Sequence, residues 1–420
     1  MIIVSHPTGN ANSRAVLDGL LERNMLLRFH TSIATFPGNV WDSVGNIPQL
    51  SEFERRRFRP ELRPYTRQHP LLELGRLAFG RAGIKAFTKH ETGAFSVDRI
   101  YHSLDRHVAD DVRTADRATA VYAYEDGALE SFRAAKERGL TCVYDLPIAY
   151  WETLRQLLRE EADRYPAWAP TLGGGIRDSQ EKLDRKSAEL ELADVVVGPG
   201  SFVMDSLPAW ASEKKRIVSP FGSPVAANAP VRTTGDTGQR KLRVLFVGSM
   251  SQRKGLGDLF EAMKLLNNPN VELVVLGSLQ APMEFYREQF SDFTYQSTRP
   301  HAAVLELMAS CDVFCLPSIV EGRALVMQEA MSRGLPVIIT PNTGGADLVV
   351  PDQTGILVPI RSPQSIAEAI QWFDDHRDQL PRMSEAARRH AESYTWPAYG
   401  GTVASELQEL LSTTRPSIDQ

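Results

Sequence analysis

The chain has 420 residues, 42% apolar and 24% charged, a globular composition that excludes a disordered or fibrous protein and, at about 150 residues per domain, implies two or three domains. No apolar run reaches the roughly 18 residues of a membrane span, MIIVSHPTGN lacks a secretory leader's basic and apolar parts, and Cys142, Cys311 and Cys315 make no disulfide framework, so a cytoplasmic protein is expected. The net charge of −5 is uneven: residues 51–90 carry ten Lys or Arg against four acids, a local +6 that leaves −11 elsewhere, which suits an anionic partner and not nucleic acid in general.

The first unit alternates strand and helix. Ile2 to Ser5 is a short apolar strand, and the Val16, Leu17, Leu20, Leu21 stripe makes 11–24 a helix. A polar, basic, proline-punctuated insert follows over about 36–90. Alternation resumes with strand 120–124, helix 128–138, strand 140–145, helices at about 148–163 and 177–192, and strands 195–197 and 216–219. Residues 220–240, rich in Pro, Gly, Ala and Thr, read as a linker. A second unit begins at Leu242: strands 242–247, 271–276, 312–316 and 335–340 alternate with helices 256–266, 302–310 and 324–333, and helices fill most of 363–413. Such alternation makes parallel sheets covered on both faces. The predicted class is α/β, with two doubly wound domains (1–219 and 241–396) facing a cleft and a last segment at 397–420.

The densest signal is DVFCLPSIVEGRALVMQEAMSRGLPVIIT, Asp312 to Thr340. A strand ends at Pro317, a turn carries Glu321, and a helix opens near Ala324 with Glu329 two turns on. Doubly wound sheets bind ligands at these carboxyl ends, where unpaired amides of a helix N-terminus favour phosphate or sugar oxygens. The competing reading makes Glu321 a helix-terminal charge and Glu329 a solvated residue. GSMSQRKG, Gly248 to Gly255, is a second strand-to-helix turn. Its Arg253 and Lys254 stand where a diphosphate would arrive, and fixed cations stabilise the charge that a departing diphosphate gains; the alternative is a solvated turn. In the first unit, HPTGNANSR (His6 to Arg14) sets Gly9 and Asn10 at a strand's carboxyl end, where Gly9 permits close backbone approach and Asn10 or Asn12 caps the helix. Asp145, at the end of another strand, is placed to orient a ligand hydroxyl, accept its proton or cap the next helix, and Glu125 and Asp126 are similarly placed.

These residues resemble a known family. E-G-x-x-L-V-x-x-E-A-M from Glu321 to Met331, the run from Gly334 to Ile338, and Gly344-Gly345 on to Gly355 are similar to the donor-binding signature of family 4 glycosyltransferases, retaining enzymes of the GT-B fold. The likeness reaches back to VLFVGSMSQRKGL and forward to YTW (394–396), covering essentially the second domain. It implies two Rossmann-like domains, with a nucleotide diphosphate sugar on the second, a hydroxyl acceptor (glycan, lipid-linked or small molecule) mostly on the first, and the final helix crossing back to the first. Glu321 is then expected to bond donor-sugar hydroxyls and Glu329 to clamp the ribose, a carboxylate suiting a vicinal diol. The amides of Gly322, Arg323, Ala324, Leu325 and Val326 are expected against sugar and phosphates, with Arg323 bearing on sugar choice. Base recognition falls to Gly277–Leu279 and Ser297–Pro300. In the family an arginine follows the strand-ending Gly248; here Ser249 stands there, and Arg253 is expected to supply its charge beside Lys254. The family histidine at the end of strand 140–145 is replaced by Asp145. Gly9 is expected near the donor, and Asn10, Asn12, Arg14 and Glu125 on the acceptor side.

Other chemistries find no support in the sequence. There is no G-x-G-x-x-G for a nicotinamide cofactor, no P-loop or catalytic-serine elbow, no H-x-x-x-H or H-E-x-x-H pair and no strand-following D-x-D, and Cys311 and Cys315 read as core, so neither metal nor cofactor is expected. In the insert, Leu71 to Lys89 spaces Arg81, Lys85 and Lys89 four apart on one helical face. That pattern fits an anionic-membrane contact at the inner membrane face through 51–90, a solvated face, or an anionic-acceptor pocket, while Gly75, Gly80 and Gly83 weaken the helix. The expected activity is metal-independent, retaining transfer of a sugar in polysaccharide or glycoconjugate biosynthesis. The alternatives are a silent nucleotide-binding GT-B protein and a GT-B phosphorylase or epimerase.

Overall fold

Runs of branched and aromatic residues such as IIVS, AVYAY and VVVG are buried along their whole length, as strands of a parallel sheet sandwiched between helices must be. The computed structural model describes residues 1–45, 48–223 and 240–413. Its first sheet is parallel, with β1 (Ile2–Ser5), β2 (Leu26–Thr31), β3 (Thr66–Gln68), β4 (Ala120–Tyr124), β5 (Thr141–Asp145), β6 (Val195–Gly198) and β7 (Lys215–Val218) in the order β3-β2-β1-β4-β5-β6-β7. Around it lie α1 (Ala11–Glu22), α2 (Val40–Gly45), α3 (Leu71–Arg81), α4 (Val97–Thr114), α5 (Leu129–Glu137), α6 (Trp151–Arg164), α7 (Gln180–Leu192) and α8 (Ser201–Asp205). The second sheet holds β8 (Leu242–Val247), β9 (Val271–Leu276), β10 (Thr294–Gln296), β11 (Val313–Leu316), β12 (Val337–Ile339) and β13 (Gly355–Leu357), ordered β10-β9-β8-β11-β12-β13. Its helices are α9 (Leu256–Leu266), α10 (Met283–Gln289), α11 (His301–Ala309), α12 (Leu325–Ser332), α13 (Pro363–Asp375) and α14 (Leu380–Glu392), and α15 (Trp396–Thr413) ends the described chain.

Both sheets reverse winding direction once, between β1 and β4 and between β8 and β11. Crevices at such switch points are where open α/β sheets hold ligands. Two elements cross between the halves. Tyr399, Val403 and Leu407 of α15 pack into the core beside Val16 and Leu20 of α1. Trp168, in the short turn after α6, joins the second sheet's core with ring contacts to Phe260 and Tyr286.

Several elements depart from the expected pattern. The insert is not outside the sheet: its Thr66–Gln68 is the edge strand β3, paired with β2, and Phe53, Phe58 and Leu62 are buried. Three polar residues show no periodicity, so the strand was silent. Strand β2 was also missed because Arg28 and His30 interrupt its apolar run; both meet Asp111 of α4, His30 at 3.0 Å. Helix α4 carries a readable signal that the sequence reading passed over: Ser96 accepts from the Arg99 amide, and Ile100, Leu104, Val108 and Val112 recur every four residues, all buried. The basic face expected over Leu71–Lys89 does not form. Helix α3 stops at Arg81, Gly83 takes φ +70°, and residues 85–88 are a separate turn. Arg56, Arg57, Arg59, Arg76 and Arg81 pair with Glu73, Asp42, Glu61, Glu73 and Glu52. Most of the predicted linker, 224–239, and the tail 414–420 lie outside the described residues. Among the described residues no helix is long and apolar enough to cross a membrane.

Candidate active site

After β8 the chain runs through Gly248 into one tight turn, Gln252–Lys254, and then α9. Gly255 closes that turn at φ +75°, and a Cβ there would lie 2.0 Å from the Pro317 carbonyl oxygen, so glycine is required and the turn is held against the end of β11. The Arg253 carbonyl accepts from the Ile319 amide at 2.9 Å. Arg253 Nη1 and Lys254 Nζ consequently both reach Glu321 Oε1, at 2.5 and 2.6 Å. Burial lowers the Lys254 ammonium pKa, the Glu321 carboxylate opposes that shift and Arg253 adds to it. Two cations sharing one carboxylate leave excess positive charge at the switch point, able to hold a polyanion. The Ser249 hydroxyl lies 3.3 Å from Ser251 Oγ, and the Lys254 stem lies over Gly248.

Glu321 is fixed from behind: its amide donates to Asn342 O, and Asn342 Nδ2 donates to Ile319 O. Gly322 meets the other half directly, since a Cβ would fall 1.7 Å from Pro147 O. The Ala324 amide donates to Thr343 O at 3.2 Å, which removes it from the amides expected to face a donor. Ala324 is the N-cap of α12 and supplies no side-chain cap to the helix's first amides, and Leu325 packs against the first sheet's core. Glu329 Oε1 lies 3.0 Å from His301 Nε2, a partner the sequence reading missed because 28 residues separate them.

Arg323 requires a correction. Its side chain is 0% exposed and turned into the second domain, donating to both Asp347 oxygens (2.7 and 3.0 Å), Gln328 Oε1 and Gly344 O, with its guanidinium over the Tyr394 ring. The planar fork matches a carboxylate edge, so the Arg323 side chain braces the 341–348 loop, where it was expected to bear on the sugar.

On the facing sheet, a cavity of about 410 Å³ opens at the ends of β1 and β4, lined in part by His6, Asn10, Tyr101, Tyr124, Glu125 and Pro147. His6 Nδ1 accepts from the Thr8 and Gly9 amides (3.2 and 2.7 Å), and burial lowers its pKa to about 3, so a neutral ring faces the cavity. Asn10 lines this cavity and also caps α1, accepting from the Ser13 amide at 3.0 Å. Gly9 takes φ +63° with the Phe58 ring directly against it. Glu125 Oε2 is 3.1 Å from Lys186 Nζ.

Three first-domain expectations are corrected. Asp145 is 1% exposed, accepts from the Tyr122 hydroxyl at 2.5 Å, and lies in a tyrosine cluster with Tyr124 and Tyr399 beneath α15. Burial raises its pKa to about 7. It does not cap α6, whose N-cap is Tyr150; strand alternation sets it on the face it shares with Val143, the one covered by α1 and α15. Asn12 is buried against Tyr124 OH at 3.4 Å. Arg14 lies over Phe58 and lines a separate cavity with Asp18 and Arg59. Cys142, Cys311 and Cys315 are buried and unbonded to one another.

Residues 234–390 match the family model for glycosyl transferases group 1. A D-inositol 3-phosphate glycosyltransferase of Paenarthrobacter aurescens is 30% identical over 181 residues, 40% of this chain and 44% of that protein. The putative colanic acid biosynthesis glycosyltransferase WcaL of Escherichia coli is 27% identical over 184 residues, 40% of this chain and 45% of that protein. The chain thus spans about half the length of these curated relatives. Among solved structures, sucrose-phosphate synthase of Thermosynechococcus elongatus aligns with a TM-score of 0.63 at 18% identity, covering 98% of this chain and 99% of that one. Anabaena HepE in complex with UDP aligns at 0.58 and 16% identity over the same shares. At these identities the likeness is one of fold: two Rossmann-like α/β domains of the GT-B kind.

Proposed function

We propose, for a chain whose residues 234–390 carry the group 1 glycosyl transferase domain within a GT-B fold, that the protein moves a sugar from a nucleotide diphosphate sugar to an acceptor hydroxyl. The observation that carries this reading is the Arg253–Glu321–Lys254 cluster at the second sheet's switch point, joined through Gly322 and Pro147 to the cavity at the first sheet's switch point.

In this reading the donor diphosphate competes with Glu321 for the two cations, and Glu321, once displaced, turns to the sugar hydroxyls. Glu329, steadied by His301, takes the ribose diol. The bond between anomeric carbon and diphosphate breaks, the acceptor oxygen bonds that carbon, and the acceptor proton leaves with the diphosphate. Negative charge grows on the departing phosphate, where preoriented cations in a water-poor cleft act most strongly. Arg253, sharing a carboxylate with Lys254, supplies the charge missing at Ser249, which is the basis for proposing a metal-independent reaction. Retention of configuration and a polysaccharide or glycoconjugate product rest on the family likeness, and a cytoplasmic location accompanies them as an expectation.

The test is thermal stabilisation by UDP, GDP, ADP and TDP, with Glu329→Ala as control. UDP leads because HepE was solved with it. A nucleotide at a hundred times its Kd adds about 2.7 kcal/mol. Stabilisation of the wild type by one nucleotide and loss of it in the variant supports the reading; no response to any at millimolar concentration overturns it. A nucleotide-binding protein without transfer is the second reading, favoured by Ser249 and by the burial of Asp145. It requires nucleotide binding with no turnover across donors and acceptors.

A further inference from the structure

The cavity at the ends of β1 and β4 has a chemical preference of its own. Glu125 is held by Lys186 (Oε2 to Nζ, 3.1 Å) and Asp126 by Lys182 (Oδ2 to Nζ, 3.4 Å). Each carboxylate keeps one oxygen that is buried and has no hydrogen-bond partner: Glu125 Oε1 and Asp126 Oδ1. The Glu125 side chain is only 10% exposed, and both residues line the cavity with His6, Tyr101, Tyr124 and Lys182. Buried polar atoms are nearly always paired. Burial raises the Glu125 pKa and the Lys186 ammonium opposes that shift; paired with its lysine, each carboxylate accepts, so whatever completes these two oxygens must bring O–H or N–H.

A phosphate brings the opposite. It adds acceptors and negative charge to a cavity where Asp98, Glu125 and Asp126 already outnumber the one lining lysine, Lys182. Arg14, four residues from Asn10, and Arg99, next to Asp98, line different cavities. Two of the similar proteins carry phosphate in the name of what they act on or make; the present cavity is built for something else.

We infer that this cavity binds a phosphate-free sugar, amino sugar or polyol whose hydroxyl or ammonium hydrogens bond Glu125 Oε1 and Asp126 Oδ1, and that this molecule is the acceptor. The acceptor role rests on the proposed transferase; the binding preference does not. The shared chemistry is a cluster of hydrogen-bond donors, and Pro147, which also lines the cavity, sets it against Gly322 of the donor loop.

The test titrates the full chain, without nucleotide, with glucose, glucosamine, myo-inositol and their monophosphates, followed by calorimetry and saturation-transfer NMR. At least one unphosphorylated probe is expected to bind, with its phosphate about tenfold weaker or undetectable, and with Glu125→Gln and Asp126→Asn each weakening it by about tenfold. Asp126→Asn keeps the experiment decisive if Glu125→Gln misfolds, because Asp126 takes φ +71°, a conformation asparagine tolerates. Tighter glucosamine than glucose, with the gain lost in the variants, identifies an ammonium; equal binding identifies hydroxyls. Phosphates binding best, variants binding like wild type, no probe binding, or Mn²⁺ alone saturating the two carboxylates would each overturn the inference. UDP and the other diphosphates titrated into the same samples separate the two claims. Nucleotide binding without sugar binding leaves the transferase and removes this acceptor class, and sugar binding without nucleotide does the reverse.

Discussion

Gln252 donates through Nε2 to Glu161 at 2.8 Å, so the residue just before the cationic pair is bonded to a helix, α6, from the other half of the chain. The contact is one of several. Gln252 Nε2 also reaches Asp258 at 2.9 Å, its amide donates to Thr171 Oγ1, its Oε1 accepts from the Gly257 amide, and Glu161 takes bonds from Arg164 and Arg361. Glu161, Gln252 and Asp258 are all 0% exposed.

Replacing Gln252 with Leu leaves two buried carboxylates short of a donor. Chemical denaturation should show a loss of about 2–4 kcal/mol. Because the loop carrying Arg253 and Lys254 loses its anchor, donor KM should rise as well, whereas an ordinary core defect would lower stability and leave KM alone.

Lys254→Ala should lower kcat by about 10²–10³ with little change in acceptor KM. Arg253→Ala should cost less, because Arg253 is 26% exposed against 13% for Lys254 and its charge is more screened. Steady-state kinetics at saturating donor compare the two.

Asp145→Asn gives a prediction in pH. Its folded pKa of about 7 stands above the ordinary 3.8. Between those values the native state holds a proton that the unfolded chain has released. Asp145 therefore contributes stability below about pH 4 that is lost as pH rises through 7. Unfolding free energies measured from pH 4 to 8 should fall less steeply in the variant, which should be the more stable protein above pH 7. Transfer should survive, because the carboxylate bonds Tyr122 and not the cleft; a drop of about a hundredfold or more, the yield of a general base, would return Asp145 to the reaction.

Gly322→Ala places a methyl 1.7 Å from a backbone oxygen, Pro147 O, which no side-chain rotation relieves. The variant should melt at lower temperature and lose donor affinity together, as read by differential scanning fluorimetry with and without nucleotide.

These relations show which parts of the site a sequence can disclose. Lys254 and Glu321 fall in the turns after β8 and β11, and Glu329 lies within α12, so local strand and helix order was enough to place their backbones. Their partners were not legible. The Arg253–Glu321 pair spans 68 residues, and His301 reaches Glu329 only because α11 and α12 lie side by side. Arg323 looked like a ligand residue because its acceptors, Asp347 and Gly344, come from a loop whose path no local pattern encodes. Asp145 was misread for a related reason. The tyrosines that bury it come from β4 and α15, one neighbouring strand and one helix more than 250 positions away. The two doubly wound sheets were clear from alternation, whereas β2 and β3 were hidden by Arg28, His30 and the polar TRQ.

Trp168 completes the second sheet's core, and α15 completes the first's. Order along the chain and allegiance in space therefore disagree at both ends of the linker. A protein cut near residue 230 would yield two fragments that each lack a piece of their own interior and carry an exposed piece of the other's. Neither fragment is then a self-sufficient domain. Mixed, they are expected to reassemble by returning the exchanged pieces, which makes the pair suited to a split-protein complementation assay in which recovered nucleotide binding reports the reunion.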